Sequence, residues 1–159
     1  MQKTILVGVL SFMLTLPFTR AQESTTDSQS TPQALAHFIA GNVSDCEALI
    51  SGSIAPEAWN SVPGLLIRAR NLVYLGAYAK EQDKIATAQS IGATVIQLLD
   101  TVVANLSETD TANRVLQLKL RASVEETLLG NSEQAEQFRQ EAAALEPPPT
   151  EQPLSPPEE

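Results

Sequence analysis

Apolar residues recur at intervals of three and four through the middle of the chain, the spacing of helices that bury one face. The pattern predicts six helices, over about 32–41, 44–52, 62–80, 84–106, 111–129 and 132–146. No segment alternates apolar and polar residues over the length of a strand. Aromatic residues make up only 4% of the chain, fewer than a β-sandwich of this size normally carries. The sequence therefore predicts an all-α fold.

The predicted helices are bounded by residues that favour helix ends. Several predicted helices are preceded by a side chain that can accept a hydrogen bond from a backbone N–H of the first turn. Other predicted helices are followed by a glycine. Pro32 suits a first helical position, and Ser44 and Glu47 have the spacing of a capping box. The predicted caps are Thr31, Ser44, Asp83 and Ser132, and the predicted stops are Gly41, Gly52 and Gly130.

The third predicted helix, 62–80, is apolar on more than one side. A helix of this kind is normally packed between neighbours, so we expect both faces to be buried. The broad face carries Leu65, Leu66, Ala69, Leu72, Val73 and Gly76, and the second face carries Ile67, Tyr74 and Tyr78.

The fourth predicted helix carries one apolar stripe whose spacing alternates between three and four residues. This is typical of the seam between closely packed antiparallel or coiled-coil helices. Ala88 and Gly92 are small enough to let a neighbour come close, and a second copy of the chain is one way to complete the seam as a homodimer. The stripe consists of Ile85, Ala88, Gly92, Val95, Leu99, Val102 and Leu106.

The first 21 residues have the pattern of a secretory signal peptide. Lys3 precedes an apolar run that Pro17 ends, and small residues allow a cut after Ala21. The run is shorter than the ~17–25 residues that span a bilayer. We therefore expect an exported protein, periplasmic or secreted, and an uncleaved N-terminal anchor is the alternative.

The remaining chain divides by composition. Residues 22–31 are polar and predict a disordered leader, and residues 32–146 form the helical domain. Residues 147–159 contain six of the ten prolines together with acidic residues, and predict a disordered tail.

The charge of the chain limits its partners. It has 10 basic and 19 acidic residues, and a cut after Ala21 removes Lys3 and Arg20, leaving a net charge of −11. Binding to nucleic acid needs clustered Lys and Arg, and anionic membrane surfaces repel an acidic protein. We expect neither nucleic-acid binding nor membrane insertion after signal cleavage.

The residues that usually carry chemistry are scarce. Cys46 is the only cysteine, so it is either a buried small residue or a thiol that pairs between chains. His37, the only histidine, is expected at the edge of the core beside Phe38. The chain has no phosphate-binding glycine loop, nucleophile elbow or zinc-ligand spacing. We expect no enzymatic activity, no cofactor and no metal.

Two stretches of the chain are alike. Gly41–Glu47 and Gly130–Glu136 each begin where a predicted helix ends on glycine, and a small residue follows five positions later on the next helix. They resemble the turn of the tetratricopeptide repeat, a helix–turn–helix unit of 34 residues. Residues 114–147 are the most similar. The matching positions there are Leu129, Gly130, Ala135, Ala142 and Pro147.

The resemblance extends over 32–147 but is uneven. Lys119 and Ser123 occupy positions where the family has a large apolar residue and a glycine. Residues 69–100 match at Leu75-Gly76 and Ala88, but Gly92 and Asp100 replace the expected aromatic residue and proline. Residues 32–51 are similar to the second half of another unit. A plain four- or five-helix bundle is the alternative architecture.

The resemblance implies a short α-solenoid in which the first helix of each unit lines a groove for a peptide or a partner helix. It therefore implies a protein–protein interaction adaptor, in which Arg70 and Lys80 would meet a carboxylate of the partner protein. A self-assembling structural bundle with no separate ligand is the alternative function. The implied groove residues are Arg70, Val73, Ala77, Lys80, Gln117, Leu120 and Val124.

Overall fold

The structure, a computed structural model, describes residues 30–146. The predicted signal peptide, the acidic tail and most of the predicted leader lie outside the described residues. Within the described range the fold is all-α, with 82% of residues in helices and no strand. None of the helices in this range is long and apolar enough to span a bilayer.

All six predicted helices are present. A short 3-10 turn, Pro56–Ala58, precedes the third helix, and a π-helix, Glu125–Leu129, extends the fifth. The first helix includes Ser30 and Thr31, which were predicted to belong to the leader. In chain order the helices are α1 (Ser30–Ile39), α2 (Val43–Ser51), α3 (Val62–Glu81), α4 (Ile85–Asn105), α5 (Thr111–Val124) and α6 (Ser132–Leu145).

The glycine turns predicted at Gly41 and Gly130 are confirmed, whereas none of the predicted side-chain caps is. Gly41 and Gly130 adopt the left-handed backbone conformation, with φ of +81° and +76°, which suits glycine. The predicted caps are wrong: Thr31 lies inside α1, and α2, α4 and α6 begin without a side-chain cap bond. Side-chain caps are instead made by Ser61 before α3 and Asp110 before α5.

The helices form three hairpins, α1–α2, α3–α4 and α5–α6, which pack on one another in chain order. Only three residues, 82–84, join the long helices α3 and α4, so these run antiparallel. α3 contacts both α1 and α5, and the first helices of successive hairpins are therefore neighbours.

One core connects the first five helices, from Ala34 in α1 to Leu128 in the π-helix. The broad face of α3 is buried as predicted. The stripe of α4 is buried from Ala88 to Val102, whereas Ile85 is 46% exposed, and Ile91 is a core residue that the stripe omitted. The α4 seam is thus filled within a single chain.

The π-helix packs on two glycines of the central hairpin. A Cβ at Gly76 would lie 2.7 Å from Leu128 Cδ1, and one at Gly92 would lie 3.0 Å from Leu129 Cδ2. The prediction that Gly92 admits a close neighbour is confirmed. Because neither glycine has a side chain, the end of α5 can approach α3 and α4 directly.

Candidate functional site

The seven predicted groove residues are not all at the surface. Arg70 and Lys80 are exposed and Ala77 is partly exposed. The other four are buried within the chain: Val73, Gln117, Leu120 and Val124.

Direct packing of α5 against α3 explains this difference from the expected groove. Leu120 and Val124 belong to the same core as Val73. Lys80 Nζ donates a hydrogen bond to the Thr127 carbonyl oxygen at 2.8 Å, which joins α3 to the π-helix. A groove lined by all seven side chains is therefore absent from residues 30–146, since four of them have almost no accessible surface.

A different set of α3 residues is open to solvent. Its members recur at intervals of four and three, so they lie in one row along the helix. We call this row the α3 stripe: Pro63, Ile67, Arg70, Tyr74, Ala77 and Glu81. Ala77 is half-buried and the other five are exposed.

The centre of the α3 stripe is apolar and accessible. The Tyr74 side chain is 67% exposed, and Ile67, two turns earlier, is 37% exposed. Since Tyr74 is two-thirds exposed, none of the described helices lies over it, and the stripe is accessible to another molecule. Tyrosine and arginine are residue types enriched at the centres of protein interfaces.

Neighbouring elements pack beside the α3 stripe rather than over it. On one side, Asn71 Nδ2 donates hydrogen bonds to the Ile50 carbonyl oxygen at 2.8 Å and to Ser51 Oγ at 3.0 Å. On the other side, Lys80 bonds the π-helix. A notch of about 230 Å³ borders Tyr74 and is lined by Thr31, Ile50, Asn71, Tyr74 and Leu75. It has room for one side chain of a partner.

The two charges of the α3 stripe are not neutralised within the described chain. Arg70 and Glu81 make no ion pair or side-chain hydrogen bond with any residue from 30 to 146. Most other basic side chains do have acidic partners, among them Arg68 with Glu47, Lys119 with Glu146, and Arg121 with Asp100. Arg70 and Glu81 therefore remain available for contacts with another molecule.

Ile67 and Tyr74 were predicted to lie on a second buried face of α3, and that prediction is wrong. The hydrophobic pattern shows that a face is apolar but not whether a neighbour covers it. One signal was present: Arg70 and Glu81 fall on the same row as Ile67 and Tyr74. Charged residues are rare on fully buried faces, so the mixture favours an exposed one.

A cleft at the junction of the fifth and sixth helices has a structural role. It measures about 760 Å³ and lies where α5, the π-helix and α6 meet. Its polar groups bond one another: Arg121 pairs with Glu125, and Asn131 Nδ2 donates to Glu125 Oε2 at 2.8 Å. The Arg121 guanidinium also lies 5.5 Å from the centre of the Phe138 ring. These contacts join α5 to α6.

Cys46 and His37 have the surroundings predicted for structural residues. Cys46 is completely buried, which confirms the first of its two predicted roles. Burial raises the pKa of its thiol to about 11, and the neighbouring Glu47 carboxylate adds to the increase. His37 is half-buried, with Nδ1 3.9 Å from Asp45 Oδ2. Residues 30–146 contain no group of three or more His, Cys, Asp or Glu side chains that could hold a metal ion.

Comparison with known proteins adds no assignment. No family model matches this chain, and no curated protein or solved structure is significantly similar to it. The candidate site therefore rests on the geometry of α3 and its neighbours.

Proposed function

We propose that this chain is an exported protein–protein interaction adaptor that binds a peptide or helix of a partner through the α3 stripe. The observation that carries the proposal is the accessibility of Tyr74, with Ile67 and Arg70 on the same row. Recognition combines apolar contact with Tyr74 and Ile67, insertion of a partner side chain into the notch, and a charge contact at Arg70.

The stacking of hairpins in chain order supports a tetratricopeptide-like architecture, which is part of the same proposal. In such an array the first helices of the units lie side by side, and α1, α3 and α5 have this relationship. α3 is the central one of the three. A partner laid on the α3 stripe would therefore be flanked by the hairpins on either side.

Export is proposed from the first 21 residues of the sequence. Their pattern of one basic residue, a short apolar run and a small-residue cut site is that of a signal peptide. An adaptor in the periplasm or the secreted fraction would encounter partners of the cell envelope or the medium.

Affinity capture with matched variants tests the proposal. The bait is the chain from Gln22 onward, the source is the envelope and secreted fraction of the native host, and mild crosslinking precedes mass spectrometry. We expect a recurrent partner that the Tyr74→Ala bait binds about 30-fold less tightly, since truncating a central interface aromatic costs about 2 kcal/mol. Affinity for the identified partner is then measured by titration calorimetry.

The control is Ile85→Ala, which truncates another exposed apolar side chain, at the start of α4. It should leave partner binding unchanged. Equal binding by all three baits would exclude the α3 stripe as the binding surface. Recovery of the bait crosslinked only to itself would contradict the adaptor function.

A further inference from the structure

The α3 stripe has an internal symmetry in its residue types. Tyr74 and Ala77 are equally distant from a midpoint on the helix, and Arg70 and Glu81 are equally distant from the same midpoint. One side of the midpoint therefore carries a large side chain and a positive charge. The other side carries a small side chain and a negative charge.

This arrangement is complementary to itself when two copies of α3 pack antiparallel. With a two-fold axis through the midpoint, Tyr74 faces Ala77 of the second copy, and Arg70 faces Glu81 of the second copy. Each contact occurs twice, as an isologous interface requires. A rise of about 1.5 Å per residue places the two charge pairs about 16 Å apart, one on each side of the apolar centre.

The observed environments suit these contacts. Arg70 and Glu81 are exposed and have no internal partner among residues 30–146, so pairing between copies breaks no existing ion pair. Tyr74 is largely exposed, and Ala77, which is partly exposed, has only a methyl side chain against which a ring from a second copy would pack. A like-charge contact would arise only if the two helices were parallel or shifted in register, so the charges also select the antiparallel arrangement.

The apolar seam of α4 does not offer a comparable surface. A homodimer could complete the α4 seam on its spacing alone, but the side chains of Ala88, Val95, Leu99 and Val102 are already fully buried within the chain. From Ala88 to Val102 the α4 seam therefore has no exposed surface left for a second copy.

We infer that the α3 stripe pairs with the α3 stripe of a second copy of this chain, forming a weak antiparallel homodimer. The inference rests on the proposed function, because it uses the same protein-binding surface. An interface of one helical row per copy is at the small end of protein interfaces, which suits a transient dimer. A heterologous partner on the α3 stripe must displace the second copy, so dimerisation regulates partner binding by competition.

Sedimentation equilibrium of the chain from Gln22 onward tests the dimer. We expect a concentration-dependent monomer–dimer equilibrium. Arg70→Glu and Glu81→Arg should each weaken dimerisation by about 10-fold or more, because each places like charges opposite one another twice. The double variant R70E/E81R should restore the wild-type dissociation constant to within about 3-fold, because the exchanged charges remain complementary.

Glu141→Arg is the matched control for charge, since it reverses an exposed acid on α6 that has no ion-pair partner among the described residues. It should leave the dimer unchanged. A chain that stays monomeric up to about 1 mM would overturn the dimer, and so would a dimer that tolerates both single reversals.

The failures of the two proposals are distinguishable. If the chain is monomeric but the Tyr74→Ala variant still binds a captured partner more weakly than the wild type does, the adaptor function stands and the dimer is excluded. If the dimer behaves as expected but no partner is captured, the adaptor function is excluded. If a partner binds R70E/E81R as weakly as it binds R70E, while R70E/E81R dimerises as the wild type does, the result supports both the adaptor function and the dimer.

Discussion

At the scale of single residues, Cys46 shows how burial alone decides the role of a reactive side chain. The thiol has no accessible surface and its pKa rises to about 11, so it is neither exposed nor ionised at neutral pH. A neutral, buried thiol is a poor nucleophile. Cys46 therefore acts as a small apolar residue through which α2 packs into the core.

The raised pKa of Cys46 predicts how stability changes with pH. The unfolded thiol ionises near its ordinary value of 9.0, whereas the folded thiol stays neutral until about 11. Between these values the unfolded state releases its proton first, so stability falls as the pH rises from 9 to 11 and is unaffected below 9. Urea denaturation at several pH values measures this slope.

Cys46→Ala is the control for that measurement. It lacks the ionisable group, so the wild type should lose more stability than the variant between pH 9 and 11. Identical slopes for the two proteins would contradict the predicted contribution of the thiol.

Two arginines on α3 have opposite environments although they are two positions apart. Arg68 is buried, and its Nη2 donates to Glu47 Oε2 at 2.7 Å, whereas Arg70 is exposed. A separation of two residues rotates a side chain by about 200° around a helix, so adjacent polar positions need not share an environment. This difference separates a structural arginine from a candidate binding arginine.

At the scale of elements, Arg68 joins three parts of the chain. It pairs with Glu47 on α2, and its Nη1 donates to the Trp59 carbonyl oxygen at 3.3 Å. Its guanidinium lies 4.7 Å from the centre of the Trp59 ring. These contacts hold two parts of the chain against α3: the helix α2 and the segment that connects α2 to α3. Glu47 is therefore used for this pair rather than for the capping box that its spacing predicted.

Removing the Arg68 charge should destabilise the fold. Arg68→Met leaves the Glu47 carboxylate buried without a charged partner, and we expect a loss of about 3 kcal/mol in the free energy of unfolding. Arg70→Met, the matched control on the exposed side of α3, should change it by less than about 0.5 kcal/mol. Chemical denaturation measures both.

A double variant separates pairing from packing. Glu47→Met together with Arg68→Met leaves no buried unpaired charge, so most of the lost stability should return. If Arg68→Met and Arg70→Met have equal effects, the buried pair does not stabilise the contact between α2 and α3.

At the scale of the whole molecule, the core is unevenly shared among the hairpins. α1, α2, α3, α4, α5 and the π-helix contribute to one connected core, but the buried residues of α6, Ala135 and Ala142, are not part of it. α6 packs chiefly on α5 and the π-helix. Its last residue, Leu145, is 41% exposed because it lies at the end of the helix.

This distribution predicts the order of local opening. Amide hydrogens of α6 should exchange through openings of lower free energy than those of α3 and α4, because α6 buries smaller side chains and has fewer neighbours. Hydrogen exchange followed by mass spectrometry or NMR compares the three helices. Equal protection of α6 and α3 would show instead that all three hairpins open as a single unit.

The sequence by itself determined the features that depend on local spacing. The six helices, the broad face of α3, most of the α4 stripe and the glycine turns at Gly41 and Gly130 all follow from the period of apolar residues and from backbone conformation. These properties belong to short stretches of chain, so they can be predicted without knowing what lies nearby.

Only the tertiary structure decided which apolar faces are covered. Val124 is buried because α5 packs against α3, and Tyr74 is exposed because no element of residues 30–146 lies over it, although both lie on apolar helix faces. The pairing of Arg68 with Glu47, 21 positions apart, likewise depends on how α2 meets α3. Coverage is set by the relative placement of distant elements, which the local period of apolar residues does not encode.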